Sequence, residues 1–375
     1  GILAVLLADL ITKGKKPFVP IGMAVACLVG AGVWALRLET SADVVLGVLT
    51  VDKFAIVFTV FCCATGAITI LATMRGEAFR RPGGEFLALV LAAVVGMNVL
   101  AMSADLIVLY LAFETISVPS YVLVAMRRAD AKSNEAGLKY VLFGAVSSAV
   151  RLYGRSLRVG MIGGTSFEAL ALATQSPMIQ QPAFIVACVM IFAGFAFKIS
   201  AVPFHFWAPD VYAGAPASVA GFLAVASKAA GFAALVRVVG VTVTAPPQGL
   251  ADPLGALWPG GNVWFPILAI AAVLTMTVGN LAALRQREIK RLLAWSSIAH
   301  AGYLLLALSV WSEDALAAML VYLVAYLFMN LAAFLLAGIT IRELGTGELS
   351  AMRGMGKRHI GLAAAFAVVL FSLTG

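Results

Sequence analysis

The chain has 375 residues, 62% of them hydrophobic and only 12% charged, with a mean hydropathy of +1.01. Soluble domains carry roughly 25% charged residues, so this composition excludes an ordinary water-soluble fold. The net charge of +8 does not point to nucleic acid, because the basic residues fall in short clusters between apolar runs.

In chain order the apolar runs are 1–12, 17–36, 52–74, 85–103, 105–126, 134–154, 182–199 with a broken continuation to about 212, 216–239, 263–284, 289–311, 314–341 and 359–375. At about 20 residues per span, that is about a dozen helices in a single membrane domain. The first and last runs are cut short and the start lacks a signal-peptide layout, so a fragment at both ends is expected. Gly160 to Pro182 and Ala245 to Gly261 read as loops, rich in Gly and Pro. Cys27, Cys62, Cys63 and Cys188 lie inside apolar runs with no CxxC spacing and read as small buried hydrophobes.

Lysine and arginine set the orientation. Lys13, Lys15 and Lys16 follow the first run, Arg75, Arg80 and Arg81 the third, and Arg127, Arg128 and Lys132 the fifth. Arg285, Arg287, Lys290 and Arg291 follow the ninth, and Arg342, Arg353, Lys357 and Arg358 the eleventh. The loops after the fourth, eighth and tenth runs hold none. This alternation predicts that the chain starts outside and that odd-to-even loops are cytoplasmic. Arg151, Arg155 and Arg158 share one helical face at the far end of the sixth run and are expected to snorkel to the outer surface. Arg237 is read as interfacial.

No soluble catalytic motif is present. There is no P-loop, Gly354-Met355-Gly356 lacks a third glycine and a preceding strand, and three scattered histidines predict no metal site. The chemistry lies instead in ionisable groups at membrane depth, which are costly there and functional by default. The seventh run arrives at Lys198, breaks at Ile199-Ser200-Ala201-Val202-Pro203 and resumes with Phe204-His205-Phe206-Trp207. A helix broken by proline at that depth is tolerated where it packs in protein or lines a wet cavity. Lys228 lies far from either end of its run, so snorkelling does not account for it. Glu114, midway along the fifth run, reads as a proton-holding carboxyl tuned by Lys198 and Lys228, or else as a structural salt bridge. His205 and His300 are candidate proton relays or packed imidazoles, and Lys139 is a relay or a snorkelling residue. Tyr322, Tyr326 and Asn330, at i, i+4 and i+8, read as interhelical hydrogen bonding.

Glu114 with Pro119, Gly137-Leu138-Lys139-Tyr140, the run Phe197 to Pro216, Ser227-Lys228 and Ile289 to Tyr303 together resemble the antiporter-like membrane subunits of respiratory complex I. The Pro209-Asp210-Val211-Tyr212-Ala213-Gly214-Ala215-Pro216 run favours the N-type. The resemblance implies an all-α polytopic membrane protein, with inverted five-helix repeats and Pro-broken helices. About 12 of about 14 expected helices would be present: 1–103 leading in, about 85–243 the first repeat and about 263–375 the second, with Phe371 to Gly375 opening a second broken helix. It further implies proton translocation along Glu114, Lys198, Lys228, His205, Lys139 and His300, driven by quinone reduction elsewhere. No cofactor or metal is expected in this chain, since NADH, flavin, iron–sulfur clusters and quinone would sit in partner subunits. Neighbouring antiporter-like subunits and lipids are the expected partners, in a bacterial inner membrane. A cation/proton antiporter subunit and a membrane scaffold are the alternatives. The arginines at 151, 155 and 158 depart from the family, which is usually apolar there.

Overall fold

The structure, a computed structural model, describes residues 1–12, 15–40, 44–45, 47–74, 83–173, 182–243 and 263–374. Lys13, Arg75, Arg80, Arg81 and the expected loop at 245–261 lie outside the described residues. The helices are α1 (Ile2–Thr12), α2 (Phe18–Ala35), α3 (Lys53–Thr73), α4 (Gly84–Met102), α5 (Leu106–Val124), α6 (Ala131–Ile162), α7 (Phe167–Ala173), α8 (Pro182–Ile199), α9 (Trp207–Gly214) and α10 (Ala217–Phe222). A single π-turn, Leu223–Ser227, joins α10 to α11 (Lys228–Val243). Then come α12 (Trp264–Ala283), α13 (Ile289–Val310), α14 (Glu313–Leu344), the one-turn α15 (Met355–Arg358) and α16 (Ile360–Leu373).

Nine of the described helices are long and apolar enough to cross a membrane: α2, α3, α4, α5, α8, α10 with α11, α12, α13 and α14. The short apolar α1 and α16 and the 32-residue α6 complete the runs expected from the sequence. α6 carries Lys132, Glu135, Lys139, Arg151, Arg155 and Arg158, which lower its mean hydropathy. The only strands among the described residues are Val44–Val45 and Leu49–Thr50, paired as a small hairpin.

Where helices start, the local chemistry is legible. Asp52, Asp105, Asp130 and Ser312 each accept a backbone N–H of the first turn of α3, α5, α6 and α14, satisfying donors that the helix itself leaves open. Gly163 and Gly345 close α6 and α14 at φ of 80° and 71°, the left-handed geometry a glycine C-cap adopts without steric cost. The sequence reading ended the sixth run at 154 and left 160–182 as loop. α6 instead continues to Ile162, and α7 forms just after it.

The helices pack as one bundle around α10 and α11, whose residues are almost all buried. α6 lies against α8, α12 against α13 and α14 against α10. Outward faces carry Leu3, Leu142, Leu281, Leu284 and Phe328, fully or largely exposed. In water such a surface would aggregate; facing lipid it costs nothing.

Candidate functional site

The break after α8 fixes the first part of the site. Ser200 sits at φ 60°, a left-handed position uncommon outside glycine, and Ala201 N–H reaches back to the Ala196 carbonyl at 2.7 Å. The Phe197 carbonyl accepts from the Trp207 indole at 3.0 Å, and the Val202 N–H donates to Thr275 Oγ1 on α12 at 3.0 Å. Side chains thus take up backbone groups that a continuous helix would pair internally. Pro203, expected as the break, is preceded by a cis peptide bond.

Lys198, on the last turn of α8, is 2% exposed, and its Nζ donates to Ser117 Oγ on α5 at 3.3 Å. Its stem lies against Gly231 of α11: a Cβ built there would stand 2.9 Å from Ile199 Cγ2 and 3.5 Å from Lys198 Cγ. Gly231 is one turn beyond Lys228, so the two buried lysines bracket a single turn of α11.

Lys228 follows the π-turn directly, is 1% exposed, and donates at 2.7 Å to both the carbonyl and Oγ of Ser297 on α13. Tyr326 on α14 donates to the same Ser297 Oγ at 2.8 Å. One turn along α13, His300 Nδ1 bonds the Tyr322 hydroxyl, and its ring packs 5.2 Å from that of Tyr326. Of the stripe read as interhelical hydrogen bonding, Tyr322 and Tyr326 do bond across helices and join the lysine and histidine in one polar group, whereas Asn330 is buried with no hydrogen-bond partner among the described residues.

His205, within the break, is buried with its ring 5.4 Å from Trp295; its Nδ1 has no partner among the described residues. Lys139 does not join this buried group. Its Nζ bonds Asp210 of α9 at 2.6 Å and Glu135 at 2.7 Å, beside Arg291, which also bonds Asp210. These residues line a cavity of about 160 Å³ at one end of the bundle, with Glu288 and Lys132.

Glu114 is where the structure departs most from expectation. Its carboxylate accepts from Arg151 Nη2 at 2.7 Å and from Ser148 Oγ at 2.6 Å, both on α6; no bond to Lys198 forms. Arg151, Arg155 and Arg158 do not snorkel: they are 3%, 3% and 0% exposed and point into the bundle. The guanidinium of Arg151 lies 4.3 Å from the Phe113 ring centroid, that of Arg155 5.6 Å from Tyr110, and that of Arg158 5.2 Å from Phe184. The arginine face thus meets aromatic rings of α5 and α8, and stacking on rings suits a weakly hydrated guanidinium.

Sequence reasoning missed Lys290. Counted as a loop charge, it is 5% exposed and donates to the carbonyls of Ala213 and Ala215, which close α9. Its proximity in sequence to Arg291 hid it. Arg237, read as interfacial, makes a two-pronged pair with Asp52 at 2.6 and 2.7 Å and bonds the Ala101 carbonyl at 2.9 Å. Among the described residues, no group of three or more His, Cys, Asp or Glu side chains is placed to hold a metal.

Residues 103–375 match the family model described as "NADH:quinone oxidoreductase/Mrp antiporter, TM". The chain belongs to this NADH:quinone oxidoreductase/Mrp antiporter family. Among similar members, NADH-quinone oxidoreductase subunit N of Anaeromyxobacter sp. (strain Fw109-5) is 39% identical, over 100% of this chain and 74% of that protein. Subunit N 2 of Sorangium cellulosum (strain So ce56) is 44% identical, over 94% of this chain and 70% of that one. In a solved structure of respiratory complex I from Thermus thermophilus, a chain 32% identical superposes at a TM-score of 0.71, covering 100% of this chain and 78% of its own. A chain of the Mrp complex from Dietzia sp. DQ12-45-1b shares the fold at a TM-score of 0.77 with 20% identity. The antiporter-like fold expected from the sequence is therefore the fold of this family member.

Proposed function

We propose that the chain is a proton-translocating membrane subunit of an NADH:quinone oxidoreductase, moving protons without a redox centre of its own. One observation carries this reading: Lys198 and Lys228, both fully buried in an apolar bundle, flank one turn of α11 and are held by hydroxyls and a carbonyl rather than by carboxylates. A lysine so placed is an expensive structural element and a responsive proton carrier, because its charge depends on what faces it. Two unit charges about 4 Å apart interact by about 4 kcal/mol at an effective dielectric near 20. A charge brought to that distance from one lysine is thus strong enough to change its protonation, and coupled groups of this kind titrate as a unit.

In this reading Lys139, Asp210 and Glu135 form the entry at the loop side, and Glu114 acts on Lys198 across Ser117, one turn further along α5. Lys228, Ser297, Tyr326, His300 and Tyr322 carry the proton onward, and His205 serves the passage through the helix break. Residues about 85–243 form the first five-helix repeat and about 263–375 belong to the second. NADH, flavin, iron–sulfur clusters and quinone are assigned to partner subunits, and neighbouring antiporter-like subunits and lipids cover the apolar flanks. The basic loops place the odd-to-even connections in the cytoplasm of a bacterium, with the start of α1 outside.

The test is NADH-driven acidification of vesicles carrying the intact complex with Lys198→Met, alongside its quinone reductase rate. Both fall together, with assembly intact, if Lys198 is coupled to the redox chemistry. Unchanged pumping and turnover would overturn the role. Sodium-driven proton movement in vesicles without any dehydrogenase would instead identify a cation/proton antiporter.

A further inference from the structure

Arg155 and Arg158 present an electrostatic problem that the chain does not solve. None of their six side-chain nitrogens has a hydrogen-bond partner among the described residues. Both side chains are buried, at 3% and 0% exposure, where α6 packs against α5 and α8. A guanidinium remains charged in a protein, so neutralisation by proton loss is closed to it. The aromatic faces of Tyr110 and Phe184 shield these cations but accept no N–H in plane.

The neighbouring carboxylates are already engaged. Glu114 accepts from Arg151 and Ser148, while Asp105 accepts the backbone N–H groups of Ile107 and Val108 at the start of α5. α8 holds no acidic residue, and Glu168 on α7 is exposed. Three cations on one helical face therefore meet one carboxylate at hydrogen-bonding distance. Uncompensated charge inside an apolar bundle is strongly unfavourable, whereas a charge with an anion and satisfied donors is tolerated.

We propose that Arg155 and Arg158, one turn apart on α6, form a buried binding site for a small inorganic anion of the halide class, at the junction of α5, α6 and α8. With Arg155 over Tyr110 of α5 and Arg158 over Phe184 of α8, the two guanidinia leave ten buried N–H donors without an acceptor, a demand that a small anion meets with little volume. The burial of both groups favours an ion over a lipid headgroup, which would bring its glycerol and chains into a closed interface. The site is separate from the lysine–histidine group, and its occupancy does not rest on the proton-transfer reading.

The experiment uses the intact complex, with bromide as probe. Crystals grown with bromide in place of chloride are measured at the bromine absorption edge; an anomalous peak beside Arg155 and Arg158 is expected. No peak there, or peaks only at surface positions, meaning an adventitious ion only, overturns the proposal. Thermal unfolding gives a second readout: at constant ionic strength, replacing gluconate by bromide raises the Tm saturably in the native complex. In Arg155→Leu/Arg158→Leu that rise disappears and the gluconate Tm matches or exceeds the native one. A native Tm indifferent to bromide, or an equal bromide response in the double variant, would also overturn it. If the double variant does not assemble, the anomalous map of the native complex decides alone. Retention of an anionic phospholipid at this junction, with no bromide peak, would assign the arginines to a headgroup instead.

Discussion

Arg151 holds Glu114 at 2.7 Å, from the neighbouring helix α6, in the place where the sequence pointed to Lys198 as the partner. A lysine that exchanges protons and an arginine that does not are different partners for the same carboxylate. The Glu114–Arg151 pair is fixed, and Lys198 is left facing Ser117.

A double-mutant cycle measures what that pair contributes. Glu114→Gln should destabilise the native complex by about 2 kcal/mol, less than the roughly 3–5 kcal/mol for breaking a fully buried pair. The discount follows from the 30% exposure of the Glu114 side chain. In an Arg151→Leu background the same change should cost well under 1 kcal/mol. Thermal unfolding of the four proteins checks this. Equal losses in both backgrounds would show that the pair is not coupled.

The pair also restrains function in the proposed scheme. Arg151→Leu should remove the competing cation, strengthen the action of Glu114 on Lys198 and so raise proton pumping per NADH oxidised, while Arg151→Lys should stay near the native value. Proton uptake and NADH oxidation, measured together in vesicles, provide the ratio. A fall in the ratio with Arg151→Leu would mean that the guanidinium takes part in transfer.

Lys228→Met separates a carrier from a strut. The change removes a buried charge, and methionine fills a similar volume, so assembly should be retained and stability should hold within about 1 kcal/mol. Pumping should fall at least tenfold. Tyr326→Phe, which leaves Ser297 Oγ without one donor, should have a smaller effect in the same direction. A normal pumping rate with poor assembly would favour the scaffold reading.

At the other end of the molecule, Asp52 predicts a pH dependence. Burial pushes its carboxyl up, but the hydrogen bonds from Arg237 and the Ala55 N–H outweigh this and hold it below its ordinary value of 3.8. A depressed carboxylate stabilises the fold above its unfolded value, and that contribution fades as pH falls through the folded one. Asp52→Asn keeps the N-cap acceptor and loses the charge. It should lower Tm at pH 7 and flatten the acid limb below about pH 4. An acid limb unchanged by the substitution would remove Asp52 from that role.

Much of this was legible in the chain because membrane helices announce themselves by composition. The twelve apolar runs, the break at Lys198 to Pro203 and the buried position of Lys228 follow from hydropathy and the position of proline. Which way a charged face turns does not. Arg151, Arg155 and Arg158 fall at i, i+4 and i+7, which places them on one face, but Tyr110, Phe113 and Phe184, the rings that receive them, come from α5 and α8. Lys290 was hidden for a similar reason, since its acceptors end α9, far away in sequence. The partner of Glu114 was missed because identifying it requires the distance between two helices.

The π-turn at Leu223–Ser227 places one extra residue in a helix that otherwise repeats every 3.6 residues. That insertion acts as a phase shifter. Before it, Gly221 opens the helix towards Leu331 of α14; after it, Gly231 opens towards Ile199 and Lys198 of α8. Deleting any one residue of the five would return the helix to a single register and turn Lys228 by about 100° relative to α10. With α10 held by α14, the ammonium would leave Ser297 although its own side chain is unchanged. The direction of a buried charge in this bundle is thus encoded by the number of residues that precede it.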